Sequence, residues 1–224
     1  MELQSSVEKI KNELSATLQN TGRNLSDVTV VAATKTVEPE RINLLPSCGI
    51  TIAGENRVQE LLEKYEHCKG VEWHFIGNLQ TNKVKYIIDK VTLIHSLDRA
   101  VLADEIDKQA AKIGKICNVL IEVNIGEEES KGGVMKEDLS ALTDYVLTKK
   151  NLRLKGLMSV LPIGAPERLY AEMKALYDDL KDKVGEQIDT LSMGMSGDYL
   201  KAVKAGANMI RLGSILFGNR VYAK

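Results

Sequence analysis

Eight short runs rich in apolar and β-branched residues recur along the chain, at 28–34, 50–54, 72–76, 92–95, 118–124, 153–158, 190–193 and 209–212. Between most of them lie stretches of helical spacing, at 58–65, 82–88, 100–112, 136–148, 166–181 and 199–205. In one of these, Leu102, Ile106, Ala110 and Ile113 fall on a single helix face. Strands that read as continuous apolar runs are buried on both faces, the mark of a parallel sheet covered by crossover helices. Eight nearly even units predict a closed α/β fold, a single (β/α)8 TIM barrel. A doubly wound open sheet is the alternative, but the even repetition favours closure. An amphipathic segment at 7–19 adds an extra N-terminal helix, so residues 1–27 form a lead-in to one domain spanning 1–224. No Ser-, Gly- or Pro-rich linker interrupts the alternation.

The charge balance argues against polyanionic partners. Thirty Lys and Arg oppose 31 Asp and Glu, giving a net charge of −1 with no marked asymmetry. Neither nucleic acid nor an anionic membrane is therefore expected. Aromatics at 4% provide little surface for stacking bases. No apolar stretch approaches the length of a bilayer span, and the N-terminus lacks the basic and apolar blocks of a signal peptide. Cys48, Cys68 and Cys117 are odd in number and widely spaced, which predicts reduced thiols in a cytoplasmic protein. His67, His74 and His95 show no metal-ligand spacing and read as structural.

In such a barrel the chemistry sits at the carboxyl ends of the strands. Lys35 follows the first run. A lysine closing a buried strand either snorkels to water or loses its proton and becomes a nucleophile able to form a Schiff base. The segment 192–198 brings two glycines and two serines to the start of a helix near Tyr199. Amides in such a loop, aided by the helix dipole, can bind phosphate. The eighth run ends in Arg211-Leu212-Gly213-Ser214, which adds donors beside the same place. Loops after strands seven and eight are the usual phosphate site of this fold. Arg211 interrupts an apolar strand, and its guanidinium remains charged when buried. It either forms a structural ion pair inside the barrel or faces a ligand. An amine, a phosphate cradle on the opposite wall and an arginine between them suit an aldehyde carrying a phosphate. Pyridoxal 5′-phosphate is the common cofactor of that description. A Schiff-base aldolase acting on a sugar phosphate would use similar groups.

These residues lie within longer blocks: Ala33-Thr34-Lys35-Thr36, Gly54-Glu55-Asn56, the stretch 73–83, His95-Ser96-Leu97-Asp98 and Val123-Asn124-Ile125. Further on come Lys131-Gly132-Gly133, Gly156-Leu157-Met158, 191–197 and 211–218. In these blocks the sequence resembles the YggS/PROSC family of pyridoxal-phosphate homeostasis proteins, from about Val28 to Tyr222. The resemblance implies a barrel like that of alanine racemases, with the cofactor aldehyde on Lys35. It implies that Ser196, Gly213 and Ser214 lie against the phosphate, Arg211 near the pyridine nitrogen and Asn56 close to the ring. Thr34 stands where serine is commoner in the family, and the hydroxyl is kept. Lys131 and His74 fall in family motifs without an assigned role.

A non-catalytic carrier is the expectation that follows. An arginine at the pyridine nitrogen disfavours its protonation and weakens the electron sink. Racemisation needs a second acid/base. In the racemases this barrel resembles, a tyrosine from an added C-terminal domain of a partner subunit supplies it. Here only ten residues follow Ser214. The chain is thus expected to be a monomer that holds pyridoxal phosphate and passes it to apo enzymes. A low-activity amino-acid racemase is the alternative.

Overall fold

Strand β1 (Thr29–Ala33) pairs in parallel with β2 (Ile52–Glu55) on one side and with β8 (Met209–Leu212) on the other. The computed structural model describes residues 2–19 and 21–218, so Tyr222, where the resemblance ends, lies outside them. Between β2 and β8 run β3 (Glu72–Phe75), β4 (Val91–Leu97), β5 (Cys117–Glu122), β6 (Leu152–Met158) and β7 (Thr190–Ser192). Each pairs with its sequence neighbours, and the sheet closes into an eight-stranded parallel barrel, as the spacing predicts.

Alternation along the strands produces two apolar layers, because successive side chains point to opposite faces. Val31, Leu93, Leu120, Met158 and Met209 cluster inside the barrel. Their sequence neighbours Ala32, Ile94, Ile121, Leu157 and Ile210 join the larger core beneath the helices.

The helices are α1 (Glu2–Leu18), α2 (Pro39–Ile42), α3 (Val58–Tyr65), α4 (Val84–Ile87), α5 (Ala100–Lys112), α6 (Leu139–Leu147), α7 (Glu167–Val184), α8 (Tyr199–Lys204) and α9 (Ser214–Phe217). Helix α1 buries Leu3, Val7, Ile10, Leu14 and Leu18, one stripe of helical period, and packs on α8 and α9. It begins five residues before the expected segment, since Leu3 extends the same stripe.

Other boundaries differ for local reasons. The segments 82–88 and 136–148 each open with a 3-10 turn, Thr81–Lys83 and Lys136–Asp138, before the α-helix. Ile50 is buried but belongs to the lead-in to β2, where Gly49 turns at φ +83° and the Ile50 amide bonds Leu45 O. The short helices α2 and α9 carry no periodic signal. Proline at the first position of α2 is their one local cue. No helix among the described residues is long and apolar enough to cross a membrane.

Candidate functional site

Pairing of β1 with β2 ends at Ala33↔Gly54, and the chain then turns. Lys35 therefore lies in a turn two residues beyond the strand, half-buried, and does not close the strand as the apolar run suggests. The turn stands on a buried polar group. Thr34 Oγ1 donates to Glu55 Oε1 at 2.7 Å, and Lys64 Nζ of α3 donates to the same oxygen at 2.7 Å and to Thr34 O at 2.8 Å. Glu55 and Lys64 are both buried, and burial pushes the Glu55 carboxyl up against the attraction of Lys64. On its sequence, α3 presents Glu60 and Lys64 as an ordinary surface pair. Lys64 instead turns inward to the base of the Lys35 turn.

The cradle loops lie beside Lys35. Because β8 is the neighbour of β1, the loops after β7 and β8 adjoin the Lys35 turn, and the expectation of an opposite wall is corrected. A Cβ at Gly213 would stand 3.4 Å from Ala33 O, which measures the closeness of the two loops. Ser196 Oγ accepts the amides of Gly213 at 3.1 Å and Ile215 at 3.3 Å, so the two loops are tied together through that hydroxyl. The Met193 amide bonds Met209 O, the Met195 amide bonds Asp198 Oδ1, and the amides of Asp198 and Tyr199 bond Met195 O. The amides of Ser196 and Gly197 take no part in these bonds. Helix α8 has six residues and α9 four, too short to contribute much dipole, so what these loops present is individual amides and hydroxyls.

Arg211 points into the barrel, 4% exposed. It donates to Ser192 O at 2.9 Å, Ser192 Oγ at 2.7 Å and Ser159 O at 2.8 Å. Neutral acceptors hold it, and the carboxylates of Glu122 and Asp198 act on it only at longer range. Burial lowers its pKa to about 10, which leaves it cationic at neutral pH. Three bonds out of five available N–H groups leave donors for a ligand.

A buried chain continues from Ser192. His95 Nδ1 lies 3.2 Å from Ser192 Oγ, and His95 Nε2 lies 3.0 Å from His74 Nδ1. Burial lowers His74 to about 4 and holds His95 well below the usual imidazole value, reinforced by His74 and Arg211. Glu122 faces the same interior, and burial raises it to about 7 against the attraction of Arg211.

Asn56 is half-buried at the end of β2, its amide 3.3 Å from Glu55 Oε2. Gly77 fixes it from below. A Cβ there would come within 2.3 Å of Asn56 O, so only glycine allows β3 to leave the barrel at that point. Ser214 is exposed beside Gly213. The structure thus brings Lys35, Ser196, Gly213 and Ser214 to adjacent loops, with Arg211 in the barrel below and Asn56 at the end of the neighbouring β2.

Roles emerge for two motif residues. Lys131 pairs with Glu128 at 2.9 Å, in a loop that Asn124 holds by accepting the Glu128 amide and donating to Glu128 O. His74 ends the chain that begins at Arg211. Sequence reasoning missed Ser192 and Ser159 as partners of Arg211, and Glu55, Glu60 and Lys64 around Lys35. No local pattern signalled either group, since the burial of Lys64 against Glu55 is visible only in the fold. Cys48, Cys68 and Cys117 are free and buried. Among the described residues no group of three or more His, Cys, Asp or Glu is placed to hold a metal.

The sequence matches the family described as alanine racemase, N-terminal domain, over residues 11–221. A pyridoxal phosphate homeostasis protein of Aquifex aeolicus is 45% identical over 220 residues, 96% of each chain. One of Escherichia coli is 36% identical over 228 residues, again 96% of each. Among solved structures, PipY of Synechococcus elongatus with PLP bound matches with a TM-score of 0.81 and 27% identity, over 96% of this chain and all of that one. An alanine racemase of Clostridium difficile matches with a TM-score of 0.75, at 16% identity and over 57% of its length, a likeness of fold alone.

Proposed function

Since the chain belongs to the family of pyridoxal phosphate homeostasis proteins, built on the barrel of alanine racemase N-terminal domains, we propose that it binds pyridoxal 5′-phosphate as a Schiff base on Lys35 and holds it for delivery. The observation that carries this reading is the meeting of the Lys35 turn with the Ser196 and Gly213 loops across the β1–β8 seam.

The residues present fit that group. Ser196 and Ser214 offer hydroxyls and amides to a phosphate, and Gly213, whose own amide bonds Ser196 Oγ, leaves room for its approach. The charged Arg211 offers donors to a ring nitrogen, with Asn56 at the ring's edge. Bound there, the cofactor would supply an aldehyde able to exchange between amines. The protein's part is to hold the phosphate, present the Lys35 amine and keep the ring nitrogen unprotonated through the Arg211 charge. An unprotonated ring is a poor electron sink, which favours storage and transfer to apo enzymes over turnover.

The test is borohydride reduction with pyridoxal phosphate followed by peptide mass analysis. The adduct is expected on Lys35, and Lys35→Ala should abolish it without lowering the melting temperature. An adduct on another lysine alone overturns the assignment. Incubation with L-amino acids should give no enantiomer or keto acid at the usual enzymatic rates of about 1–10³ s⁻¹. Turnover in that range would favour the racemase reading.

A further inference from the structure

The turn that carries Lys35 is closed by the Val37 amide bonding Thr34 O at 2.9 Å. Its third residue, Thr36, sits at φ +62°. Turns that need a positive φ at this position normally use Gly or Asn, and a β-branched residue there is a genuine outlier. Such a conformation costs free energy and persists only where the surroundings fix it.

Here helix α3 fixes it from both sides. Glu60 Oε2 accepts the Thr36 amide at 3.0 Å, and Lys64 Nζ donates to Thr34 O at 2.8 Å. The two side chains are themselves 3.4 Å apart, and Lys64 is anchored to the buried Glu55. The peptide groups flanking Lys35 are therefore gripped by one ion network one helical turn long. A glycine at 36 would make the same turn without help.

We propose that Glu60 and Lys64 are positioning residues for the Lys35 amine: by holding Thr36 at positive φ, they aim the amine at the neighbouring cradle. The inference rests on the proposed binding of the cofactor aldehyde to Lys35. It adds that the covalent link depends on α3, which carries none of the cradle residues.

The experiment measures borohydride-trapped pyridoxal phosphate on Lys35, by peptide mass, across a concentration series. It compares the unaltered protein, Glu60→Ala, Thr36→Gly and the double variant. Glu60→Ala should weaken trapping about tenfold, the lower part of the cost of holding such a residue unaided. Thr36→Gly should trap like the unaltered protein, and Glu60→Ala should then cost less than about threefold, because glycine adopts positive φ freely. A merely structural role for Glu60 would cost the same in both backgrounds, and that result overturns the inference. So does Glu60→Ala trapping at the unaltered level. Absence of any adduct on Lys35 in the unaltered protein would overturn the proposed function itself, and this inference with it.

Discussion

Ser192 Oγ and His95 Nδ1 lie 3.2 Å apart at the centre of the barrel, within hydrogen-bond reach of each other. Arg211 has only donors, and it donates to Ser192 Oγ at 2.7 Å. The hydroxyl proton is then free for His95 Nδ1. With that proton given to His95 Nδ1, the neutral ring carries its own on Nε2 and donates it to His74 Nδ1. In that arrangement the chain points away from Arg211 at every link, and both imidazoles are expected to be Nε2–H tautomers.

Ser192→Ala breaks that chain at its middle. Arg211 keeps the Ser192 and Ser159 carbonyls, but the His95 nitrogen is left buried without a donor. The expected cost is about 1–3 kcal/mol in urea unfolding at pH 7. Nitrogen NMR of the unaltered protein should show both rings as Nε2–H. A Nδ1–H tautomer at His95 would contradict the direction.

The phosphate should dominate affinity for the cofactor. Charge-assisted bonds to amides and hydroxyls contribute about 1.5–3 kcal/mol each, so pyridoxal without phosphate should bind at least about a hundredfold more weakly. Ser196→Ala should cost only about three- to tenfold, because backbone amides of the two loops remain as donors, and those of Gly213 and Ile215 are released from Ser196 Oγ. Competition titrations giving equal affinities for pyridoxal and its phosphate would show that the two loops are ordinary turns.

Two interior groups set opposing pH dependences. His74 titrates near 4 in the folded protein against 6.5 when unfolded, so its contribution to stability is lost as pH falls from 6.5 towards 4. Glu122 is raised from 4.5 to about 7, so stability is lost as pH rises through that window. Each effect is worth about 3 kcal/mol, and between pH 4.5 and 6.5 they offset one another. Glu122→Gln should therefore stabilise the protein by up to about 3 kcal/mol at pH 7 and hardly at all at pH 4.5. Urea midpoints with the same difference at both pH values would refute the assignment.

Lys64→Met strands a buried carboxylate. Removing one partner of a buried pair typically costs about 3–5 kcal/mol, and the double change Glu55→Gln/Lys64→Met should cost clearly less than the sum of the two single changes. Additive losses would mean that Glu55 and Lys64 do not act as a pair.

The barrel was legible because strands buried on both faces leave uninterrupted apolar runs, and the glycine- and serine-rich loops at 192–198 and 213–214 stood out as candidate donors at the strand ends. What the sequence hid depends on closure or on atypical backbone. Strands one and eight are distant in sequence, and only the closed sheet makes Gly213 a neighbour of Ala33. The chain through His74, His95, Ser192 and Arg211 joins four strands across the barrel, a contact no local pattern records. Thr36 is the opposite of what a positive-φ turn calls for, so the Lys35 turn reads as a strand end. Lys64 looks solvated because its pairing with Glu60 is the commonest surface pattern of a helix.

The seam between β1 and β8 also sets when the site can exist. A nascent chain carries Lys35 long before it carries Ser196 or Arg211, and the amine has no cradle until the last strand docks against the first. Such long-range closure is the slow step expected of high contact order. On the proposed reading, the groups that would hold the phosphate beside the Lys35 amine come together only when the barrel is complete, so specific binding follows closure.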